Sequence, residues 1–355
     1  MNLFKKTSKN KFNIKNVCIV DTVYALLIYL LKSDINDIHD TYFFVSEGIH
    51  PSIQNNLTHK YIYKKKHLPN LISEIYDLIR LRIFKYIRWP FIKDSLIYSQ
   101  DHLPYSIPLV GNKSYSYIED APYIYSIIKA NNWLDNKIKY WNDRYYIKKI
   151  NLYIFGKTYK KPVGLSNSCK EIILSVKDIA PFWTNKKITI IDIFKIWSNS
   201  PEEKKKLIYK IYNITNEDIE ELKSKSIIIL TQRFVTDGIL TEEEQIRIYK
   251  KIISYYDSNK ILIKPHPRDK IDYKKYFNNI SCFNKIIPSQ LFDLLGIRFD
   301  KAVTICTSAV FDFSYKIEID WFGSKIHPKI FDQEGEIDIS QINTSGNKIN
   351  FININ

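Results

Sequence analysis

Residues 226–270, SIIILTQRFVTDGILTEEEQIRIYKKIISYYDSNKILIKPHPRDK, contain the pattern that decides the fold. Apolar runs at 226–231 and 260–265 have the length and the isoleucine content of buried strands, and a helix is predicted between them, from Thr241 to about Tyr256. A strand, a helix and a second strand in this order are typical of a parallel sheet with a helical crossover connection.

The same alternation extends in both directions along the chain. Further strands are predicted at 16–20, 41–46, 115–118, 301–306 and near 107–110, and helical stretches at 201–224, near 289–296 and from Thr307-Ser308. A chain of 355 residues exceeds the usual size of one hydrophobic core, and its pattern breaks up between 160 and 190. We therefore expect an α/β protein of two Rossmann-like domains, residues 1–175 and 176–355, with parallel sheets that face a central cleft.

The composition, with 45% hydrophobic and 26% charged residues, is that of a soluble globular protein, and the net charge is +15. No zinc-finger spacing, RNP-type sequence or basic coiled coil is present, so nucleic acid is not an expected partner. Three interpretations of the positive charge stay open. It reflects a lysine-rich surface that results from AT-rich coding DNA, or it serves to bind an anionic membrane surface or an anionic substrate.

The four cysteines are scattered and form no CxxC pair, which argues against a metal or redox site and fits a reducing compartment. The N-terminus lacks a signal-peptide pattern. The most apolar early run, residues 24–31, is far shorter than the ~20 residues that a membrane-spanning helix needs. We expect a protein that is cytosolic or peripherally bound to a membrane.

Residues 64–95 combine apolar residues at helical spacing with intervening Lys and Arg. One interpretation is an amphipathic helix that packs on a sheet. The other is a basic, aromatic, membrane-facing surface to which Trp89 and Phe91 contribute. Periodicity alone does not separate the two.

Chemically active residues follow three strands of the second half. Strand 226–231 runs into Gln232 and then Asp237-Gly238, strand 260–264 into Pro265-His266-Pro267-Arg268, and strand 301–306 into Thr307-Ser308. Ligands bind beyond the carboxyl ends of strands in open parallel sheets, so an acid, an imidazole and two hydroxyls are expected along one edge. Each has a structural alternative: a turn for Asp-Gly, a rigid strand exit for Pro-His-Pro and helix caps for Thr-Ser.

These residue types suit group transfer from an activated phosphate donor to an alcohol. Hydroxyls and free N–H groups at the start of a helix bind phosphate. A histidine can donate a proton or a hydrogen bond to a leaving phosphate, and an aspartate can accept a proton from the attacking hydroxyl.

Five segments resemble the bacterial sialyltransferases of glycosyltransferase family 52. They are VCIVDTVYALL (17–27), SYIEDAPYIY (116–125), TQRFVTDG (231–238), ILIKPHPR (261–268) and CTSAVFDF (306–313). The resemblance implies a GT-B fold with an acceptor-side N-terminal domain and a C-terminal domain that binds CMP. It further implies inverting transfer from CMP-sialic acid to a galactose-type hydroxyl of lipooligosaccharide or capsule, without a metal or cofactor.

Carried over residue by residue, the resemblance makes Asp237 the general base and His266 the group that binds and protonates the departing CMP phosphate. It assigns donor contacts to Gly238, Pro265, Pro267, Thr307 and Ser308, and marks Asp21, Thr22, Glu119, Asp120 and Gln232 as further candidates near the cleft. Relatives often carry Gly after the acidic pair, where this chain has Ala121. Arg268 has no assigned role.

The resemblance provides partners for the positive charge: a nucleotide-sugar donor and a glycan or glycolipid acceptor on an anionic membrane surface. The expected location is the bacterial cytoplasm, at the inner face of the inner membrane. A homodimer is compatible with the family, although no residue here specifies one. Two other functions stay open: a polyol-phosphate transferase that uses CDP-glycerol, which also has a KPHP strand exit, and a basic binding protein that does not need Asp237 or His266.

Overall fold

The computed structural model describes residues 13–64, 70–125, 163–177, 185–311, 313–336 and 346–353. The chain forms two compact units, Met1–Asn213 and Ile214–Asn355. Each unit is built on a parallel sheet, as the alternation of strands and helices predicts.

The sheet of the first unit has seven strands in the order β3-β2-β1-β4-β5-β6-β7. The strands are β1 Asn16–Val20, β2 Thr41–Ser46, β3 His59–Tyr63, β4 Leu96–Ser99, β5 Tyr115–Ile118, β6 Cys169–Leu174 and β7 Lys187–Ile190. The described helices are α1 Val23–Lys32, α2 Ile35–His39, α3 Pro51–Gln54, α4 Asn70–Ile87, α5 Ser106–Val110, α6 Ile193–Asn199 and α7 Glu202–Tyr212.

The sheet of the second unit has six strands in the order β10-β9-β8-β11-β12-β13. They are β8 Ile227–Leu230, β9 Ile261–Lys264, β10 Ser281–Cys282, β11 Lys301–Thr304, β12 Glu318–Trp321 and β13 Lys348–Phe351. The described helices are α8 Asn216–Lys223, α9 Glu242–Ile253, α10 Ser289–Leu294 and α11 Pro328–Glu334.

The predicted β8-α9-β9 crossover is confirmed. Every residue of β9 is buried, as expected for a strand covered on both faces. Helix α9 starts with a capping box in which Thr241 and Glu244 satisfy each other's backbone N–H groups. Leu230 is in register with both Lys264 and Thr304, so the chain leaves β8, β9 and β11 side by side at the same level.

The unit boundary lies after Asn213, later than the predicted boundary between 175 and 176. Strand β7 pairs with β6 in the first sheet, and α7 is anchored there because the Lys204 Nζ donates to the Leu31 carbonyl at 2.7 Å. Asn213, in the left-handed conformation (φ 56), ends α7. The stretch 201–224 is therefore two helices, one in each unit.

One strand prediction for the first unit was wrong, and the two interpretations of residues 64–95 can be compared with the structure. Residues 106–110 form the buried helix α5 rather than a strand, because so short an apolar run carries no clear periodicity. Trp89 and Phe91 do not form an exposed surface: the Trp89 ring packs 4.9 Å from that of Phe44 and is 4% exposed, and Phe91 packs on Tyr42. Within the described ranges, no helix is long and apolar enough to span a membrane.

Candidate active site

The loop after β8 presents Asp237 on a turn. The Asp237 N–H donates to the Arg233 carbonyl at 2.9 Å, and the Arg233 Nε lies 2.9 Å from Asp237 Oδ2. Gly238 follows with φ +74 and open space around its Cα, so the predicted Asp-Gly turn is present. The carboxylate is 35% exposed and Oδ1 has no hydrogen-bond partner among the described residues, which leaves that oxygen accessible to a substrate.

The loop after β9 holds His266 through its backbone and its ring. The His266 N–H donates to Thr231 Oγ1 at 3.1 Å, and the Arg268 N–H donates to His266 Nδ1 at 3.1 Å. Because Nδ1 accepts a hydrogen bond, the ring hydrogen of the neutral imidazole is on Nε2. The N–H of Arg268 therefore sets the tautomer of His266.

The surroundings of His266 favour its neutral form. Burial, together with the positive charges of Arg268, Arg233 and Lys264, lowers the pKa of His266 to about 4, against the opposing charge of Asp237. At neutral pH the side chain is thus an Nε2–H donor in a cationic environment. Such a group is suited to an incoming anion.

Lys264, the last residue of β9, is one of these cations and is itself buried. Its side chain is 7% exposed, and burial lowers its pKa to about 8. The Nζ lies 3.4 Å from the Pro265 carbonyl and 5.8 Å from the centre of the Phe283 ring. Lys264 was not among the residues predicted from the sequence, although a lysine inside an apolar strand is a recognisable signal.

A buried polar network beneath the loops connects β8, β9 and α9. Asp269 Oδ2 accepts hydrogen bonds from the Tyr273 hydroxyl at 2.8 Å, and from Thr231 Oγ1 and Gln245 Nε2 at 3.3 Å. Gln245, which is fully buried, also donates to the Gln232 carbonyl at 2.7 Å and accepts from the Val235 N–H at 3.0 Å. These residues were not predicted from the sequence either; the glutamine on the buried face of α9 was the available signal.

The loop after β11 differs from its prediction. A short 3₁₀ turn, Ser308–Phe311, replaces the predicted α-helix, so no long helix dipole is aimed at this position. The Thr307 N–H donates to Thr304 Oγ1 at 3.0 Å, and Thr307 Oγ1 accepts from the Ala309 N–H at 3.3 Å. The Ser308 side chain lies outside the described structure, so its contact with a donor stays a prediction.

Hydrogen bonds between loops show that the three strand exits form one continuous edge. The loops after β8 and β9 are joined by the Thr231–His266 bond and by a bond from Thr236 Oγ1 to the Arg268 carbonyl at 3.2 Å. Gln232 Nε2 reaches Cys306 Sγ at 3.0 Å and so joins the loops after β8 and β11. The structure thus brings Gln232, His266 and Thr307 together at the carboxyl edge of the second sheet.

The remaining candidates, Asp21, Thr22, Glu119 and Asp120, lie at the carboxyl edge of the first sheet. Gln100 connects two of them, since its Oε1 accepts from the Asp21 N–H at 2.6 Å and its Nε2 donates to Asp120 Oδ1. Burial, with the nearby charge of Asp120, raises the pKa of Asp21 to about 6. This edge is therefore acidic, in contrast to the cationic surroundings of His266.

Glu119 and Thr22 have structural partners. Glu119 is fully buried and accepts hydrogen bonds from the Tyr24 hydroxyl and the Ser175 N–H, both at 2.6 Å. Thr22 caps α1 by accepting from the Ala25 N–H at 3.2 Å. Gly48, which was not among the predicted residues, approaches Asp21 so closely that a Cβ there would lie 2.5 Å from the Asp21 carbonyl oxygen.

The His-Pro dipeptide occurs three times in the chain, at His50, His266 and His327. In each case the histidine Nδ1 accepts a hydrogen bond from the N–H two residues later. The shared geometry is a local turn, so it is not evidence of catalysis. His266 differs in its position after a central strand and in the charged groups around it.

Comparison with known proteins supplies the family and the fold. Residues 128–330, more than half of the chain, match the model of Glycosyltransferase family 52. An uncharacterized protein from Haemophilus influenzae is 29% identical over 328 residues, covering 92% of this chain and 99% of that protein.

Two solved structures show the GT-B fold. A sialyltransferase from Photobacterium damsela has a TM-score of 0.54 at 14% identity and covers 94% of this chain and 81% of its own. The GT-B domain of a sialyltransferase from Photobacterium damselae has a TM-score of 0.50 at 14% identity, with coverages of 86% and 91%. The match of the family model to more than half of the chain establishes that this protein belongs to glycosyltransferase family 52.

Proposed function

We propose that this glycosyltransferase is a sialyltransferase that uses CMP-sialic acid. Membership of family 52 and the likeness to the two sialyltransferase structures support the proposal. The observation that carries it is His266, a neutral imidazole with its Nε2–H available, surrounded by Arg233, Lys264 and Arg268 and located on the same edge as Asp237. This arrangement fits a donor whose leaving group is a phosphate.

In the proposed reaction, an acceptor oxygen bonds to the anomeric carbon of sialic acid while the bond from that carbon to the CMP phosphate breaks. The phosphate leaves with the bonding electron pair and accepts the Nε2 proton of His266 in its imidazolium form, which the bound phosphate favours, so that a neutral imidazole remains. The acceptor hydroxyl loses its proton to Asp237. Attack from the side opposite the leaving group inverts the anomeric configuration.

The proposal gives the neighbouring residues supporting roles. Arg233, Lys264 and Arg268 offset the charge of the phosphate, a task that requires no metal ion or cofactor. Thr307 and Ser308 contact the donor, together with the backbone at Gly238, Pro265 and Pro267. The cationic partner of Asp237, Arg233, keeps the carboxylate oriented through its 2.9 Å ion pair.

The acceptor in this proposal is a galactose-type hydroxyl on lipooligosaccharide or capsule. Such glycans are extended at the inner face of the inner membrane, so the protein would work in the bacterial cytoplasm beside an anionic surface. The net charge of +15 supports both anionic partners, the donor and the membrane.

A donor screen tests the proposal. The purified protein is incubated with CMP-sialic acid, CDP-glycerol and a panel of other nucleotide sugars, and release of the nucleotide is measured with and without a galactoside acceptor. We expect CMP release from CMP-sialic acid, stimulated by the galactoside. Turnover of CDP-glycerol alone would instead identify a polyol-phosphate transferase, and no turnover of any donor would favour a binding protein.

Substitutions then test the assigned roles. His266→Ala and Asp237→Asn should each lower kcat by about 10²- to 10⁴-fold, the usual contribution of a general acid or base. The chain provides matched controls: His50→Ala and His327→Ala remove the same Nδ1 turn elsewhere, and Asp257→Asn changes a capping aspartate of a 3₁₀ turn. Full activity of His266→Ala would refute the assignment.

A further inference from the structure

Helix α4 exposes an apolar stripe on its outer side. Twelve large hydrophobic side chains are exposed in the described structure, and five of them are on this one helix. They are Tyr76, Ile79, Ile83, Tyr86 and Ile87, with exposed fractions of 44%, 47%, 49%, 71% and 73%. At 3.6 residues per turn they fall within an arc of roughly 100°. We call this arc the α4 stripe.

The inner side of the same helix carries charged groups. Asp77 is 2% exposed, accepts from the Tyr63 hydroxyl at 3.0 Å and pairs with Arg80 at 3.0 Å. Lys85 is 9% exposed, and its Nζ donates to the Val110 carbonyl at 3.1 Å. The inner side also packs Leu81, which is 1% exposed, whereas a helix that faces water normally presents charged and polar residues on its outer side rather than an apolar arc. The α4 stripe is therefore typical of a contact surface.

The charges around the stripe indicate the kind of partner. Residues 76–94 contain five basic side chains and two acidic ones, the buried Asp77 and the exposed Asp94. Arg82, Arg88 and Lys93 are exposed along this segment. Tyrosine at positions 76 and 86 adds rings with a polar hydroxyl, which are favoured where an apolar phase meets water. An apolar stripe bordered by cations is complementary to a bilayer with anionic headgroups.

We propose that the α4 stripe docks on an anionic membrane surface, with Ile83, Tyr86 and Ile87 inserted among the headgroups and Arg82, Arg88 and Lys93 beside the lipid phosphates. The inference deepens the proposed function, because it assigns the membrane contact to a specific surface. It does not depend on the identity of the donor.

The test measures binding of the purified protein to vesicles by co-sedimentation. One set of vesicles is phosphatidylcholine and the other contains phosphatidylglycerol in addition. The variant Ile83→Ser/Tyr86→Ser/Ile87→Ser removes the most exposed part of the stripe. The control variant Ile190→Ser/Tyr255→Ser/Phe351→Ser removes three comparably exposed hydrophobic side chains, with exposed fractions of 51%, 55% and 71%, located elsewhere.

We expect the wild-type protein to bind the phosphatidylglycerol vesicles and to be released by added salt. The stripe variant should bind at least about tenfold less, since each inserted side chain contributes apolar burial, whereas the control variant should bind like the wild type. Arg82→Gln/Arg88→Gln should weaken binding to phosphatidylglycerol vesicles only. The single variant Ile87→Ser, at the most exposed position, provides a second test that does not depend on the triple variant folding.

Three outcomes would overturn the inference. The wild type could fail to bind vesicles, or the triple variant and Ile87→Ser could both bind vesicles as well as the wild type does. In the third outcome the wild type is a dimer, the stripe variants are monomers, and vesicles have no effect on either. The last would identify the stripe as a contact between two copies of this chain. Donor turnover with a soluble galactoside should be unchanged in the stripe variants. Failure of the donor screen thus refutes the proposed function, and failure of vesicle binding refutes only the membrane contact.

Discussion

Thr231 positions the backbone of His266 through a hydrogen bond. We expect Thr231→Val to lower kcat by more than its effect on the free energy of unfolding explains. Thr231 follows β8 and is 2% exposed. Its Oγ1 accepts the His266 N–H at 3.1 Å and donates to Asp269 Oδ2 at 3.3 Å. Valine has nearly the same shape but can make neither hydrogen bond, so the substitution removes these two interactions with little change in packing.

The expected magnitude follows from those two bonds. A buried N–H without a partner costs about 1–3 kcal/mol, and we expect this loss in the free energy of unfolding. The bond to Asp269 adds less, because that carboxylate keeps the Tyr273 hydroxyl at 2.8 Å. A displacement of about 1 Å at a reacting group lowers turnover by roughly 10²-fold, so kcat should fall by about 10- to 100-fold while KM for the donor changes little.

The assay is steady-state CMP release at saturating CMP-sialic acid, together with urea unfolding of the same samples. Thr241→Val is the control, because it is the same substitution in the same unit. It removes the N-cap of α9, which should lower the free energy of unfolding by about 0.5–2 kcal/mol, and it leaves the loop after β9 unchanged. Equal kcat values for the two variants would refute the positioning role of Thr231. A lower kcat for Thr231→Val at matched stability would support it.

Three further predictions concern the same edge. NMR of the His266 ring in the donor-free protein should show a pKa of about 4. The free energy of unfolding should fall as the pH is lowered from about 6.5 to about 4, because the unfolded chain binds the proton more readily than the folded one. Gln245→Leu should lower the free energy of unfolding by about 2–5 kcal/mol in urea titrations, because the Val235 N–H and the Gln232 carbonyl lose their buried partner. Lys264→Met should leave the free energy of unfolding equal or higher, because it removes a buried charge. It should also raise the pKa of His266, because a positive charge near that ring is lost; a lower pKa would contradict the electrostatic explanation.

The crossover from β8 to β9 could be predicted from the sequence because both strands are continuous apolar runs. The position of the loops that follow these strands could also be predicted, because parallel strands end at a common edge of the sheet. The unit boundary could not, because it depends on which sheet β7 and α7 join. That choice is made by long-range contacts such as the bond from Lys204 to the Leu31 carbonyl, which no local pattern encodes.

The role of His266 also could not be decided from its local sequence. His50 and His327 have the same His-Pro dipeptide and the same Nδ1 hydrogen bond, so the motif alone specifies only a turn. What distinguishes His266 is the network beneath it, and the members of that network are far apart in sequence. Gln245 and Asp269 meet only after α9 packs on the sheet.

Helix α4 shows the limit of periodicity in another way. Apolar residues occupy its inner side at Leu81 and its outer side at Ile83 and Ile87, so their spacing was compatible with both a packed helix and a membrane surface. The structure shows the packed arrangement on one side of the helix and an apolar, exposed surface on the other. The packed interpretation is confirmed for the inner face, and the membrane surface stays a proposal for the outer face.

The charges around His266 suggest how the donor prepares its own leaving group. Burial and the three cations hold the imidazole neutral in the free protein. A bound phosphate would offset Arg233, Lys264 and Arg268, and would add a negative charge beside Nε2, so both changes raise the pKa of His266. In the proposed reaction, the protonated, acidic form then becomes accessible only when CMP-sialic acid is present. A histidine with a normal pKa would be partly protonated without the substrate. The low pKa of His266 is thus a consequence of placing it among cations that bind an anion.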